Sequence, residues 1–264
     1  MKRKRVKWYL EKRMAYIEKY AKLILAGGDK EAIHQLRIGF KKLRAFLRLA
    51  GLKSSAEKRP MIPSELKQIY RYTGKVRDLQ LYYHNIFPFY HKADSYPHQV
   101  LHQIAVAKGT LLTVLKDFRF YKATKRMKKK APDGVSKRIL DKFIQKKTVA
   151  IGKLTGGNIQ NGRLHVLKKY LKDVSYTLKV FHTRARKYFP IAGKVNRHEL
   201  DELSNILNEY LDCVVGLTLL NEALSGDLSA DDADILKKIK KEWIIKKART
   251  RRLAMVMLPG ILQN

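Results

Sequence analysis

The sequence predicts an all-α protein, and three observations carry that prediction. Apolar residues recur every three or four positions along most of the chain, which is the spacing of amphipathic helices, and strict alternation is almost absent. Glycine and proline residues fall between these periodic segments. The second half of the chain repeats the plan of the first. We therefore expect eight helices in two four-helix halves, residues 1–130 and 131–264.

Glycine, aspartate and proline residues set the ends of the four helices expected in the first half. Gly27-Gly28 ends the first helix, and Asp29 then caps the second. Pro88 stops the third helix, because proline lacks the amide hydrogen that a helix interior requires. The four helices are expected at about residues 5–26, 30–50, 64–86 and 97–127.

The basic run at residues 125–134 is interpreted as the linker between the halves. Gly156-Gly157 and Gly226 fall in later gaps, and residues 190–196 are expected to form a loop. The apolar stretch after residue 253 is expected to be a packed or frayed tail. The four helices of the second half are expected at about residues 135–154, 163–187, 198–224 and 231–256.

The charge of the chain indicates a polyanionic partner. The formal net charge is +34, although 45% of the residues are hydrophobic, so the chain has the composition of a folded protein. A folded protein with this charge repels itself strongly unless a polyanion neutralises it. DNA, RNA, anionic lipid and inorganic polyphosphate all remain open, because attraction to phosphate does not depend on sequence.

Other compositional features exclude several classes of protein. The single cysteine, Cys213, excludes an internal disulfide framework and a cysteine-rich zinc site. The longest uncharged stretches, residues 79–91 and 95–107, are much shorter than the roughly 20 residues that cross a bilayer. Charged residues interrupt the N-terminal segment where a signal peptide would be apolar. We therefore expect a cytoplasmic protein.

Two of the expected helices carry the same stripe of basic residues on one face. At 100° per residue, each stripe fits within an arc of about 80° and extends for about 21 Å. Neither stripe contains an acidic residue, whereas ordinary solvated faces mix acids with lysines for pairing. A solvated face remains the alternative interpretation. The first stripe holds His34, Arg37, Lys41, Arg44 and Arg48, and the second holds His165, Lys168, Lys172, Ser175 and Lys179.

These segments resemble the signature of CHAD domains, the conserved-histidine α-helical family. The motif His-x-x-Arg-x-x-x-Lys-Lys-Leu-Arg at residues 34–44 is similar to the first histidine motif of the family, and residues 165–172 are similar to the second. Gly74-Lys75-Val76-Arg77-Asp78 is similar to its Gly-x-x-Arg-Asp element. The resemblance covers essentially the whole chain. It implies two pseudo-symmetric four-helix bundles packed around a basic groove or pore.

The resemblance also implies a function, the binding of inorganic polyphosphate and an association with polyphosphate granules. Two departures from the family pattern would weaken the second half of the site: Ser175 replaces a basic residue, and Leu211 stands where the first half has Arg77. By position, the binding residues implied are His34, Arg37, Lys41, Arg44, His165, Lys168 and Lys172.

Angular position adds three further candidates to this set, and the Gly-x-x-Arg-Asp element adds a fourth, Arg77. Arg48 and Lys179 extend the two stripes, and Lys42 lies beside the first. Arg77 is expected to point at the anion, with Asp78 orienting a neighbouring cation; a structural ion pair between helices is the alternative. The two histidines are expected to donate to phosphate more strongly towards pH 6, or else to hydrogen-bond within the bundle.

No catalytic motif accompanies the stripes. The sequence lacks a phosphate-binding Gly-x-x-x-x-Gly-Lys loop, a His-Glu-x-x-His motif, and the Glu-x-Glu-x-Lys motif of triphosphatases that occur in tandem with CHAD domains. We therefore expect a binding protein that is not an enzyme and has no cofactor or metal site. The alternatives are a general DNA- or RNA-binding protein, which would use exposed aromatic residues for stacking, and an adaptor for an acidic protein.

Overall fold

The structure, a computed structural model, describes residues 1–28, 30–52, 54, 60–90, 95–155, 161–181 and 197–262. These residues form nine α-helices and one 3₁₀ turn, Phe87–Phe89, and no strand occurs among them. The all-α prediction is confirmed. The helices are α1 (Arg3–Leu25), α2 (Lys30–Ala50), α3 (Ser64–Ile86), α4 (Ser95–Asp117), α5 (Phe120–Lys129), α6 (Lys137–Thr155), α7 (Asn161–Val180), α8 (Arg197–Leu224) and α9 (Ala230–Leu262).

The prediction of one continuous fourth helix is wrong, because the structure has two helices in that region. α4 ends at Asp117 and α5 begins at Phe120. Phe118 packs against the core and Phe120 is buried in it, with the two ring centroids 4.6 Å apart. In a continuous helix these two side chains would point about 200° apart. The break therefore allows both rings to pack on the same core.

The linker between the halves is shorter than the sequence predicts. Much of the basic run at 125–134 lies in α5, which buries Phe120, Ala123 and Met127 along one face and leaves the other face to the cations. The non-helical link is residues 130–136. Here the Met1 ammonium donates to the Val135 carbonyl oxygen at 2.7 Å, and the Val135 amide donates back to the Met1 carbonyl at 2.9 Å.

The C-terminal prediction also needs correction, because α9 continues to Leu262 where a tail was expected. α7 ends at Val180, short of the expected residue 187. The predicted Asp29 cap, the Gly156-Gly157 gap and the loop at 190–196 lie outside the described residues. No helix in the described part of the chain combines the length and the apolar character needed to cross a membrane.

The buried apolar residues form three clusters, two of which cross the predicted boundary between the halves. The largest joins α1 to α5 with α6 and residues such as Val174 of α7. A second joins α6, α7, α8 and α9. A third places Tyr82 of α3 and Val100 of α4 against Trp243 of α9. The halves therefore share their interior, and their division into two pseudo-symmetric bundles remains a prediction.

Burial of the apolar faces of α2 and α7 fixes the direction of their basic stripes. The apolar residues that lie opposite the cations in sequence are buried: Ile33, Leu36, Phe40, Leu43 and Leu47 on α2, and Leu164, Leu167, Leu171 and Val174 on α7. α2 and α7 pack directly on one another. Since both helices bury the face that the sequence predicts, their stripes are held at the junction between the two helices.

Candidate functional site

Four cations meet where α2 and α7 pack together, and we call them the central cluster: Arg37, Lys41, Lys168 and Lys172. Burial, together with repulsion from the other three members, lowers the pKa of Lys41 to about 8. No member forms a salt bridge with a carboxylate of the described residues. The two stripes that the sequence predicts therefore form a single site with an excess of positive charge.

On α7, the charged form of Lys168 is disfavoured in the same way as that of Lys41. Burial lowers its pKa to about 8 even though the Asp212 carboxylate acts in the opposite direction, and Lys172 and Arg37 add repulsion. Burial also lowers the pKa of Lys172. A lysine whose charged form is disfavoured in the free protein gains most from an arriving anion, because the anion restores the balance of charge.

The backbone of α3 holds Arg37 in place. Its Nη1 donates to the Tyr70 carbonyl oxygen at 3.1 Å and approaches the Thr73 hydroxyl at 3.5 Å. Gly74 makes this approach possible, because a Cβ atom at that position would lie only 2.9 Å from the same nitrogen. The glycine of the Gly-x-x-Arg-Asp element thus creates space for a guanidinium of the other motif.

Tyr70 organises two arginines of the first stripe. Its ring stacks on Phe40 with centroids 4.1 Å apart and planes inclined by 15°. The Arg37 and Arg44 guanidinium carbons lie 4.6 Å and 5.4 Å from the centre of the same ring. Stacking and cation–π attraction therefore restrict both guanidinium groups before any ligand binds.

Arg77 and two carboxylates lie beside the central cluster. Burial lowers the pKa of Arg77, and its Nη1 is buried with no hydrogen-bond partner among the described residues. Partial burial raises the pKa of both Asp78 and Asp212, although nearby cations oppose the shift. None of the three forms a salt bridge with a described residue. The two carboxylates reduce the positive potential around the central cluster, but neither forms a salt bridge with one of its four cations.

The two histidines of the stripes, His34 and His165, lie at the margin of the central cluster. Burial, followed by the influence of Arg77, lowers the pKa of His34; burial, followed by the influence of Lys168, lowers the pKa of His165. Neither ring hydrogen-bonds to a described residue, so both retain nitrogens for a ligand. Because both pKa values lie below the usual value of 6.5, we expect protonation in the free protein only at more acidic pH.

The ends of the stripes have internal partners. The Arg48 Nη1 donates to both oxygens of Asp173, at 3.0 Å and 2.9 Å, and the Lys147 Nζ donates to the same carboxylate at 2.9 Å. Lys179 pairs with Asp201 at 3.4 Å. The structure therefore separates Arg48 and Lys179, which the sequence groups with the binding residues, from the central cluster.

Two other stripe positions also lie apart from this cluster. Ser175 is buried and its hydroxyl donates to Asp201 at 3.3 Å. Burial and repulsion from Arg13 and Lys179 lower the pKa of Lys42, which indicates that it lies towards α1. The first stripe therefore contributes Arg37 and Lys41 to the centre, while its flanks turn to other helices.

Sequence reasoning missed the partners that come from other helices. Asp173 and Lys147 carry no signal in the sequence, because their pairing with Arg48 depends on how three helices pack. Lys169 is a further omission: burial and repulsion from Arg48 and Arg44 lower its pKa. Among the described residues, no group of three or more His, Cys, Asp or Glu side chains is placed to hold a metal ion.

Comparisons with known proteins agree with this fold. The structure is similar to that of the CHAD domain from the plant Ricinus communis, with a TM-score of 0.73 and 18% identity over 96% of this chain and 88% of that one. It is also similar to PptA from Streptomyces chartreusis, with a TM-score of 0.70 and 12% identity over 100% of this chain and 99% of that one. No curated protein matches the sequence. The sequence matches the CHAD domain over residues 9–221, and the chain belongs to the CHAD domain family.

Proposed function

We propose that the protein binds inorganic polyphosphate at the central cluster without catalysing its turnover. The observation that carries this proposal is the crowding of Arg37, Lys41, Lys168 and Lys172 with no carboxylate of the described residues in salt-bridge contact. A linear polyphosphate places an anionic charge on every phosphate, so several units can reach the cations of both helices together. Binding would relieve the repulsion that lowers the lysine pKa values.

The stripes extend this site in both directions. Arginine offers a planar fork for phosphate oxygens, whereas lysine acts as a mobile point charge. Arg44 and Arg77 lie near the centre and would contact neighbouring phosphates, with His34 and His165 at the margin. The resemblance to CHAD domains supports the same ligand and a location on polyphosphate granules in the cytoplasm.

The aromatic residues near the cluster favour polyphosphate over nucleic acid. Binding of single-stranded nucleic acid commonly uses exposed aromatic faces on which bases stack. The ring of Tyr70, which contacts Arg37 and Arg44, is stacked on Phe40 and lies beneath the two guanidinium groups. It has no open face for a base, so nucleic acid would gain attraction to its phosphates and little else.

The proposal is tested by titrating the protein with long-chain polyphosphate, double-stranded DNA and single-stranded RNA at equal phosphate concentration and about 0.15 M salt, where loose attraction is screened. The test variant is Arg37→Ala with Lys168→Ala. The control is Arg5→Ala with Lys241→Ala, which removes one exposed arginine and one exposed lysine from α1 and α9. Phosphate release is measured in the same samples.

We expect polyphosphate to bind at least about tenfold more tightly than either nucleic acid. The central variant should lose this preference, and the control should keep it, with no phosphate released. Equal binding of all three polymers, or equal losses in the two variants, would contradict a dedicated site and favour general attraction to nucleic acid. Release of phosphate by the unmodified protein would contradict the non-catalytic assignment.

A further inference from the structure

A cavity beside the central cluster combines apolar walls with basic residues. It has a volume of about 440 Å³ and lies between α2 and the segment that leads into α3. Phe40, Leu47 and Ile62 supply buried apolar surface, and Met61 stands at the rim with 61% of its surface exposed. The volume falls within the range of sites for small organic ligands, which are mostly apolar with a few polar groups.

Three cations line the same cavity: Arg44, Arg48 and Lys67. Neither Arg44 nor Lys67 has a hydrogen bond or salt bridge from its side chain to a described residue, and Lys67 is exposed. Arg48 gives only Nη1 to Asp173, so its other guanidinium nitrogens remain for a ligand. The cavity thus offers basic donors suited to a short run of phosphates.

The backbone at the rim of the cavity supplies hydrogen-bond donors and acceptors as well. Met61 and Ile62 precede α3 and belong to no helix. Their backbone N–H and C=O groups form no hydrogen bond with any described residue. Backbone groups of this kind are obligatory donors and acceptors, and they match the edge of a nitrogen heterocycle. An inorganic phosphate polymer would use neither these groups nor the apolar walls.

We propose that this cavity binds a nucleoside polyphosphate. The base would lie against Leu47, Met61 and Ile62, and the phosphates would reach the three cations. Apolar surface, backbone groups with no hydrogen-bond partner in the described part of the chain, and basic side chains occur together here, and a nucleotide uses all three. Arg44 also flanks the proposed polyphosphate site, whereas Lys67 and Met61 line this cavity alone, so different variants test the two proposals.

The test measures binding of ATP by calorimetry at about 0.15 M salt, where weak surface attraction is screened. Inorganic triphosphate probes the phosphates alone, and adenosine probes the base alone. The test variants are Lys67→Ala and Met61→Ala. Lys75→Ala is the matched control, because it removes another exposed lysine from α3. The variant Arg37→Ala with Lys168→Ala reports on any ATP held by the central cluster.

We expect ATP to bind at least about tenfold more tightly than inorganic triphosphate, because the base adds apolar contact. Lys67→Ala should weaken ATP binding about fivefold or more, Met61→Ala should reduce the advantage over triphosphate, and Lys75→Ala should change little. The inference fails if ATP does not bind or if triphosphate binds equally well. It fails also if Lys67→Ala leaves ATP binding intact while the central variant abolishes it. Polyphosphate binding in the same variants is a separate measurement, so either proposal can fail alone.

Discussion

Two regions of the same helical stripe use their cations in opposite ways. In the central cluster, Lys41 and Lys168 have no carboxylate of the described residues in salt-bridge contact, and the pKa of each falls to about 8. About two turns further along α2 than Lys41, Arg48 shares Asp173 with Lys147. We call this second group the buried network. Only 6% of the Asp173 side chain is exposed, so its two ion pairs are shielded from solvent.

The comparison shows that the role of a cation depends on what the neighbouring helices supply. Asp173 of α7 neutralises the charge of Arg48 and fixes its Nη1, so Arg48 is balanced before any ligand binds. The central cluster has no such partner among the described residues, so it retains unfavourable repulsion that a bound anion would relieve. The same residue types on one helical face therefore divide into a group that is paired internally and a group that is not.

The largest expected effect is the loss of Asp173. The substitution Asp173→Ala leaves Arg48 and Lys147 without their shared carboxylate, and breaking a buried pair from one side costs about 3–5 kcal/mol. We expect a fall of this size in the free energy of unfolding, measured by urea denaturation. Asp234→Ala is the control, because Asp234 pairs with Lys237 at an exposed site and such pairs contribute at most about 1 kcal/mol. Equal losses in the two variants would refute the distinction.

Replacing one lysine in each region should give changes of opposite sign. Lys41→Met removes a repelled charge, so we expect the free protein to gain about 1 kcal/mol of stability while its polyphosphate affinity falls about tenfold. Lys147→Met removes a partner of Asp173 and should cost about 1–3 kcal/mol with little change in affinity. Denaturation and polyphosphate titration of both variants provide the measurement.

The comparison would fail if the two methionine variants changed stability in the same direction. It would also fail if Lys147→Met weakened polyphosphate binding as much as Lys41→Met, because the buried network would then be part of the ligand site. Both variants must be titrated at the same salt concentration, since phosphate contacts are screened by salt.

The most gradual expected effect is the dependence of stability on pH. Lys41 and Lys168 have pKa values of about 8 in the folded chain and ordinary values of 10.5. Between these limits the unfolded chain binds more protons than the folded chain, so the stability of the free protein rises with pH. From pH 7.5 to 9.5 we expect a gain of about 1–3 kcal/mol over the variant Lys41→Met with Lys168→Met, and that difference isolates the two lysines from the rest of the charge.

Polyphosphate affinity should change in the reverse direction over the same range. As Lys41 and Lys168 lose their protons, the central cluster loses charge, and we expect binding to weaken by about tenfold between pH 7 and pH 9. The double methionine variant should show a flatter profile. A profile as steep as that of the unmodified protein would mean that other groups control the dependence.

Much of the fold was predictable because amphipathic helices space their apolar residues periodically along the sequence. The spacing of Ile33, Leu36 and Phe40 gives the buried face of α2, and the glycines near residue 27 mark the end of α1. The break between α4 and α5 was not predictable from glycine or proline. It follows from the packing of Phe118 and Phe120 on one core, which involves residues distant in sequence.

The sequence by itself determined the all-α class, the membership of the CHAD family and the two basic stripes with their buried opposite faces. Only the tertiary structure decided which cations act together. Helix packing brought Lys41 to Lys168 and Arg37 to Tyr70, and it assigned Asp173 to Arg48 rather than to the central lysines. Helical periodicity is a local property that a sequence records, whereas the neutralisation of a charge depends on groups that reach it from other helices.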